Sequence, residues 1–212
     1  MNEAETKMMQ LEPKHIVALE KAQALIVRRD FGPYLELKGL LPDSSSTART
    51  RFRMLFINFY GLHRGGLTDE FKDRFFEILF GDNVIVNGQP NFSWILNELS
   101  GIKRKKDDFA MPFSFVSKLV GLHRENSPIY DQHVRDFFRA KVPAASVDKK
   151  ERIEWFLGFL DCVGRSYEIW AGDARIRPVL EKLCARDTGL MTCDKVRLID
   201  FLVWKVGNQK LL

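Results

Sequence analysis

Apolar residues recur at helical spacing along most of this 212-residue chain, and that pattern limits the folds it can adopt. In the segment 111–122, one helix face is formed by Phe115, Val116, Leu119 and Leu122. Similar stripes predict further helices that begin near Pro13, Thr47, Thr68, Asn91, Asp131, Lys149, Asp173 and Asp194. The sequence therefore predicts an all-α protein with eight or nine helices.

Two features of the sequence interrupt the predicted helical pattern. The pair Gly32-Pro33 is expected to end a first helix of about twenty residues, since glycine and proline stop helices. The residues 35–42 then form a short, extended connector. The run Val84-Ile85-Val86 before Asn87-Gly88 is typical of a β-hairpin. We expect at most one such short hairpin.

Bulk properties narrow the class of protein. Hydrophobic residues at 45% and aromatic residues at 12% indicate an ordered, globular chain. We expect no membrane association, because no apolar run has the length of a membrane span and the N-terminus lacks a signal-peptide pattern. The three cysteines are far apart without a CxxC pair, which argues against a disulfide framework and a zinc site. We therefore expect a reducing cytoplasmic setting and no metal.

Basic residues are concentrated in two segments. The first, between residues 44 and 67, contains no acidic residue and carries Arg49, Arg51, Arg53 and Arg64. The second, between residues 101 and 124, has two aspartates, Asp107 and Asp108, against Lys103, Arg104, Lys105, Lys106, Lys118 and Arg124. Such clustering indicates a surface for a polyanion, with nucleic acid the first candidate. The alternative is an ordinary solvated helix surface.

The predicted helix at 111–122 has a second face of small residues with a single amine, formed by Ser114, Ser117, Lys118 and Gly121. A ligand or a nucleic-acid backbone could approach this face closely and meet only Lys118. Alternatively, the small residues let a neighbouring helix pack tightly while the Lys118 side chain extends to water.

Asp131 follows Pro128-Ile129-Tyr130 and precedes an apolar stripe, so it is expected to begin a helix. Backbone N–H groups at a helix start favour a negative charge. An ionised carboxylate in a dry site can stabilise a positive charge that develops in a transition state, as in the cleavage of a glycosidic bond. Asp131 can therefore serve as a helix N-cap and as a catalytic group.

The order of these features resembles the helix-hairpin-helix DNA glycosylases, most closely their 8-oxoguanine DNA glycosylase branch. The resemblance spans residues 99–138: the turn Leu99-Ser100-Gly101-Ile102, basic residues, a helix with Lys118, and then Pro-Ile-Tyr-Asp131-Gln-His-Val. Ser100 and Lys103 stand where the family has a proline and a second glycine. The interval from Lys118 to Asp131 is shorter than is usual in the family, and Lys105 is an alternative occupant of the lysine position.

The resemblance implies a single all-helical domain over residues 1–212, with two lobes around a cleft. The possible lobes are 1–98 plus 145–212, and a segment 99–140 with the hairpin and the catalytic residues. It also implies an enzyme that flips a modified base out of double-stranded DNA and cleaves its N-glycosidic bond, with or without AP-lyase activity. The role would be base-excision repair or defence against modified phage DNA. The alternative is a non-catalytic helical DNA-binding or protein-interaction module.

The resemblance assigns roles to particular residues. Asp131 would stabilise the oxocarbenium-like sugar, and Lys118 would be a Schiff-base nucleophile or a positioning amine. The expected DNA contacts are Gly101, Lys103, Arg104, Lys105, His133 and Arg135. The expected base pocket comprises Phe113, Ser114, Ser117, Tyr130, Asp200 and Trp204, although most aromatic residues at such spacings belong to a core. Asp200 and Trp204 could present a carboxylate beside a ring to the edge of the base, or simply belong to an ordinary amphipathic helix, which is the favoured alternative. We expect no cofactor, and a monomer in the cytoplasm, associated with the nucleoid in a bacterium.

Overall fold

The regular structure of this protein is almost entirely helical. The structure is a computed structural model that describes residues 10–64, 66–103, 105 and 111–212. These residues form ten α-helices, two short 3₁₀ helices and one two-stranded hairpin. The predicted all-α fold is therefore confirmed, and the expected first helix proves to be two helices. Within the described ranges, every helix is too short or too polar to cross a membrane.

The α-helices differ widely in length, from six residues to 24. The first five are α1 (Pro13–Leu25), α2 (Arg28–Leu40), α3 (Ser46–Tyr60), α4 (Asp69–Leu79) and α5 (Phe92–Ser100). The second five are α6 (Phe113–His123), α7 (Gln132–Phe137), α8 (Lys149–Gly172), α9 (Arg177–Cys184) and α10 (Lys195–Gln209). The 3₁₀ helices are Leu62–Arg64 and Thr188–Thr192, and the strands are β1 (Ile85–Val86) and β2 (Gln89–Pro90).

The chain divides into two compact units, one of which comes from two separate parts of the sequence. This discontinuous unit comprises Met1–Asp30 and Glu125–Leu212, and the inserted unit comprises Phe31–Arg124. The first boundary falls within α2. The predicted hairpin and catalytic segment, residues 99–140, is divided between the two units at Arg124.

The prediction for residues 12–42 was wrong at the Gly32-Pro33 pair. The first helix ends at Leu25, and the pair lies inside α2, which continues to Leu40 without an extended connector. Asp30 helps to begin α2, because its Oδ2 accepts a hydrogen bond of 3.0 Å from the Val27 amide. Pro33 is the sixth residue of α2 and lies inside the helix, where its missing N–H removes one backbone hydrogen bond.

Phenylalanine rings of α3 and α4 meet in the core of the inserted unit. The Phe56 ring centroid lies 5.2 Å from that of Phe75 and 5.7 Å from that of Phe76, and all three side chains are buried. Tilted and edge-on ring pairs of this kind stabilise a core beyond the burial of their area. The α4 helix begins where predicted, because Thr68 Oγ1 accepts a hydrogen bond of 3.2 Å from the Phe71 amide.

The hairpin forms where the sequence predicts it. Its strands pair Ile85 with Pro90 and Val86 with Gln89. The turn residues Asn87 and Gly88 have φ angles of 51° and 74°, which suit asparagine and glycine and match the twist of a two-residue hairpin loop. The chain then enters α5, which packs against α6.

The central element of the discontinuous unit is α10. It packs against α1, α7 and α8, and every residue from 196 to 203 is buried. Asp194 begins this helix by accepting a hydrogen bond of 2.7 Å from the Val196 amide. A helix buried on most sides usually carries apolar residues alone, yet α10 contains three buried charged residues: Arg197, Asp200 and Lys205. Lys205 forms an ion pair with Asp30 at 2.8 Å.

Candidate functional site

Lys118 lies on α6 with a buried side chain that is only 8% exposed. Its Nζ donates a hydrogen bond of 2.8 Å to Ser114 Oγ, one helical turn earlier. The amine also lies 5.3 Å from the ring centroid of Tyr60 and 5.9 Å from that of Phe115. Aromatic faces attract cations at such distances. The Lys118 amine is therefore held beside a hydroxyl and two rings, and the interpretation in which it extends to water was wrong.

The small-residue face of α6 is buried too. Ser117 and Gly121 are buried, and Ser117 Oγ donates a hydrogen bond of 3.1 Å to the Ser114 carbonyl oxygen. Phe113, at the start of the helix, is buried, whereas Ser114 is half-buried. Three expected base-pocket residues thus lie within one and a half turns of Lys118 on the same helix.

Asp131 is the N-cap of α7, as the sequence predicts. It has an extended backbone, and its Oδ1 accepts a hydrogen bond of 2.9 Å from the His133 amide. The side chain is half-buried. Asp131 is thus a carboxylate fixed at a helix start and still partly accessible.

Tyr130 anchors the chain immediately before Asp131 to α8. The ring of Tyr130 meets three α8 rings edge-on, at centroid distances of 6.1, 5.5 and 5.6 Å from Trp155, Phe156 and Phe159. Burial raises the pKa of the Tyr130 phenol, and the nearby Arg135 guanidinium opposes that rise. The contacts that the structure gives to Tyr130 are those of a core residue.

Arg135, an expected DNA contact, is half-buried on α7. Its Nη2 lies 3.0 Å from the Asp136 carboxylate, which is the adjacent residue. An exposed ion pair of this kind contributes little to stability, and it reduces the positive charge that Arg135 presents.

His133 joins α7 to α10. Its Nε2 accepts a hydrogen bond of 3.3 Å from Asn208 Nδ2, and the Trp204 ring meets the imidazole edge-on at 6.0 Å. Gly207 permits this contact, because a Cβ atom there would fall 2.2 Å from the His133 carbonyl oxygen. Two expected site residues, His133 and Trp204, are therefore brought together at the junction of α7 and α10.

Asp200 lies in the interior and binds protein groups with both carboxylate oxygens. Oδ1 accepts a hydrogen bond of 3.3 Å from the Ile129 amide, and Oδ2 lies 2.6 Å from Arg197 Nη1. Arg197 is fully buried, and its Nη2 donates a hydrogen bond of 2.7 Å to the Ser127 carbonyl oxygen. Burial raises the pKa of Asp200 to about 6, and the burial and the Asp200 charge raise that of the Tyr167 phenol. Asp200 therefore has a structural set of partners, unlike the base-edge contact that the resemblance implies.

Two residues of the second basic segment, Lys103 and Lys105, are hydrogen-bonded to the chain at the start of α4. Thr68 Oγ1 donates a hydrogen bond of 3.3 Å to the Lys103 carbonyl oxygen, and the Lys105 amide donates one of 2.9 Å to Gly66. The Lys103 and Lys105 side chains are exposed. Gly101 has an ordinary right-handed backbone, with φ of −78°. Arg104 lies outside the described residues.

Two arginines of the first basic segment, Arg51 and Arg53, form ion pairs with acidic residues. Arg51 lies 2.6 Å from Glu36, and Arg53 forms an ion pair with Asp73. The Arg49 guanidinium lies over the Phe80 ring at 5.1 Å from its centroid. These contacts favour a solvated helix surface for this segment, whereas the exposed side chains of Lys103 and Lys105 stay candidates for binding a polyanion.

Sequence reasoning missed the residues of α10 that hold the Asp131 segment, namely Arg197, Gly207 and Asn208, and their neighbour Tyr167. One signal was present: Arg197 and Asp200 are three residues apart in the otherwise apolar run 196–204. That spacing places opposite charges on one helix face and indicates an internal ion pair.

The structure also assigns Lys118 to the inserted unit and Asp131 to the discontinuous unit.

In the described part of the chain, histidine, cysteine and carboxylate side chains form no group of three or more that could hold a metal ion. No protein-family model matches the sequence, no curated protein matches it, and no solved structure matches the fold.

Proposed function

We propose that this protein is a DNA glycosylase of the helix-hairpin-helix type, which flips a modified base out of double-stranded DNA and cleaves its N-glycosidic bond. One observation carries the proposal. The Asp131 carboxylate is held at the start of α7 by the His133 amide and remains partly accessible. This is the arrangement that the resemblance over residues 99–138 leads us to expect.

The proposed chemistry needs a fixed negative charge near the sugar. As the base leaves, positive charge develops on the deoxyribose ring, and the ionised Asp131 carboxylate stabilises it. At a separation of about 4 Å and an effective dielectric constant of about 20, one such interaction is worth roughly 4 kcal/mol. That energy corresponds to a rate increase on the order of a thousandfold.

Lys118 has one of two roles in this proposal. As a nucleophile, its amine attacks the sugar carbon while the base departs, and the resulting Schiff base leads to AP-lyase chemistry. As a positioning amine, it leaves the attack to water, and the enzyme is monofunctional. The burial of the Lys118 side chain supports a nucleophilic role, because removal from water activates amines.

The exposed Lys103 and Lys105 supply the proposed grip on DNA phosphates. We place Arg104 with them by sequence, and His133 and Arg135 beside the Asp131 segment. The target base leaves the stack at a cost of a few kcal/mol, which is smallest for a damaged or mismatched base. The proposal includes both biological roles, repair of an oxidised base and removal of a hypermodified base from phage DNA, and a monomer acting in the cytoplasm.

The test is an assay for free base and alkali-labile sites on duplexes that carry different modified bases. We expect wild-type protein to release at least one of these bases. Asp131→Asn should slow release by about a thousandfold and leave DNA binding intact, because asparagine is also a good N-cap. The matched control is Asp148→Asn, which alters the N-cap aspartate of α8, whose side chain accepts the Lys150 amide.

Each other outcome contradicts the proposal in a different way. Full activity of Asp131→Asn would show that this carboxylate has no catalytic role. Salt-dependent DNA binding without abasic sites on any duplex would indicate a non-catalytic DNA-binding module. Failure to bind DNA even at low salt would indicate a protein-interaction module.

A further inference from the structure

The α10 helix contacts the chain on both sides of Asp131. Before Asp131, the Arg197–Asp200 pair binds the Ser127 carbonyl oxygen at 2.7 Å and the Ile129 amide at 3.3 Å. After Asp131, the His133 backbone rests against Gly207. A single rigid helix therefore determines where the residues on either side of this carboxylate lie.

The ion pair is unusual in its burial. The Arg197 side chain is 0% exposed and that of Asp200 is 4% exposed, with 2.6 Å between Nη1 and Oδ2. Two charges removed from water lose hydration that their mutual attraction often only offsets, and apolar residues of similar volume are often as stable in such places. Stability alone is therefore a weak explanation for this pair.

The remaining hydrogen bonds of the pair point to a more specific role. Arg197 and Asp200 each contribute one bond to the main chain of the segment 127–129, which lies directly before Tyr130 and Asp131. This segment lies between α6 and α7 and has no regular structure of its own. Its backbone groups are buried, so losing their partners would leave polar atoms without hydrogen bonds in the interior.

We infer that Arg197 and Asp200 are positioning residues for the Asp131 carboxylate: they fix the backbone at Ser127 and Ile129 and so set where Asp131 meets the sugar. The inference deepens the proposed glycosylase function and rests on it. Asp200 acts from the interior in this role and does not touch the base. A carboxylate that stabilises charge must be held within a fraction of an ångström, because small misplacements lower catalytic rates strongly.

Two double variants separate the effect of the hydrogen bond between the Ile129 amide and Asp200 from the effect of the Arg197 and Asp200 charges. Arg197→Met with Asp200→Leu removes the ion pair and the acceptor for the Ile129 amide. Arg197→Met with Asp200→Asn also removes the ion pair, and its asparagine Oδ1 can still accept from Ile129. An exposed pair on α8, Arg165 and Asp161, provides the control, as Arg165→Met with Asp161→Asn.

Two measurements are made on each full-length variant. Amide hydrogen exchange of residues 127–131 reports whether the segment is held, independently of any activity. Single-turnover base release, with DNA affinity measured in parallel, reports whether Asp131 is in place. For the Met/Leu variant we expect exchange to rise about tenfold and base release to slow about tenfold or more, with unchanged DNA affinity. The Met/Asn variant should recover part of both, because it keeps the bond to Ile129 but lacks the bond from Arg197 to Ser127, and the control should match the wild type.

Specific results would overturn the inference. Unchanged exchange in the Met/Leu variant would show that the pair does not hold the segment. Faster exchange with a wild-type rate of base release would show that holding the segment does not position Asp131. Equal changes in amide exchange and base release in the Met/Leu and Met/Asn variants would show that the pair contributes to folding in general and not through the hydrogen bond to Ile129. If wild-type protein releases no base from any duplex, the proposed function itself has failed, and the positioning role fails with it.

Discussion

Gly207 and His133 touch backbone to backbone: a Cβ atom at Gly207 would lie 2.2 Å from the His133 carbonyl oxygen and 2.7 Å from its carbonyl carbon. Real side chains essentially never approach main-chain atoms this closely, and a main-chain carbonyl cannot rotate away like the end of a flexible side chain. Any larger residue at 207 must therefore separate α7 from α10, and Asp131 begins α7.

We expect Gly207→Ala to destabilise the protein by about 2 kcal/mol or more, because overpacking against a fixed backbone forces the two helices apart. For a chain of this size, that loss lowers Tm by about 5 °C. Thermal unfolding followed by circular dichroism measures it.

The matched control is Gly158→Ala in the interior of α8, where a Cβ atom would meet nothing within 4 Å. Alanine is a better helix former than glycine, so this variant should be stabilised by about 0.5–1 kcal/mol. A Gly207→Ala protein that gains stability as Gly158→Ala does would show that α7 does not rest on α10 as described.

Asp200 should make stability depend on pH. Its folded pKa of about 6 lies above its ordinary value of 3.8, chiefly because of burial, while Arg197, the Ile129 amide and Tyr167 oppose the rise. Between about pH 4 and pH 6 the folded state therefore binds more protons than the unfolded state, and the stability contributed by Asp200 falls as pH rises through this window. A rise of about two pKa units corresponds to at most about 3 kcal/mol.

Denaturant unfolding of wild type and Asp200→Asn at a series of pH values measures this effect. The difference in unfolding free energy, wild type minus variant, should decrease from pH 4 to pH 7, because asparagine does not titrate. A difference that increases with pH would show that the Arg197 charge outweighs burial and that the folded pKa is lowered.

Lys118 should determine whether the proposed enzyme forms a covalent intermediate. If Lys118 is the nucleophile, sodium borohydride reduces the Schiff base and traps a protein–DNA adduct, and Lys118→Gln abolishes that adduct. Gel electrophoresis of labelled DNA measures the adduct. The exposed Lys149 at the start of α8 provides the control, since Lys149→Gln should form the adduct normally.

An adduct that persists in full yield in Lys118→Gln would assign the nucleophile to another amine, with Lys105 the first alternative. Robust base release by wild type without any adduct would make water the nucleophile. Lys118→Gln should then slow base release by impairing positioning.

The two basic segments should contribute differently to DNA binding. Each lysine that neutralises a phosphate adds about one unit to the slope of log affinity against log salt concentration. Replacing Lys103 and Lys105 together by glutamine should therefore reduce that slope by up to about two units. Replacing Arg51 and Arg53 by glutamine should leave it nearly unchanged, because Glu36 and Asp73 already neutralise them. Fluorescence anisotropy with a labelled duplex at several salt concentrations measures both slopes, and equal reductions would contradict this distinction.

Local signals predicted most helix positions well. Thr68 and Asp194 begin their helices because short polar side chains accept the first free amide groups, and the sequence shows such residues directly. The Asn87-Gly88 turn was also predictable, because asparagine and glycine are the residues that adopt its positive φ angles most readily. The Gly32-Pro33 pair misled the prediction because a new helix begins at Arg28, with Asp30 in its first turn, and continues through Pro33 to Leu40.

Relationships between distant residues were not predictable from one sequence. Helical spacing placed Lys118 on the face of α6 with Ser114, and the structure confirms that contact. It gave no indication that Tyr60 covers the amine, because 58 residues separate the two in the chain. Nothing in the sequence near Asp200 indicates that the Ile129 amide binds its carboxylate. Asp200 was therefore placed near the base instead. Such pairings depend on tertiary packing, which overrides local preference.

The division of the chain has a consequence for synthesis on the ribosome. Residues 31–124 form one compact unit, whereas the other unit needs residues before 31 and after 124. The inserted unit therefore emerges before α10, the main packing partner of α1, and can fold while α1 still lacks that contact. Until α10 emerges, the chain on either side of Asp131 lacks its contacts with Arg197, Asp200 and Gly207, and the buried face of α1 lacks its main packing partner.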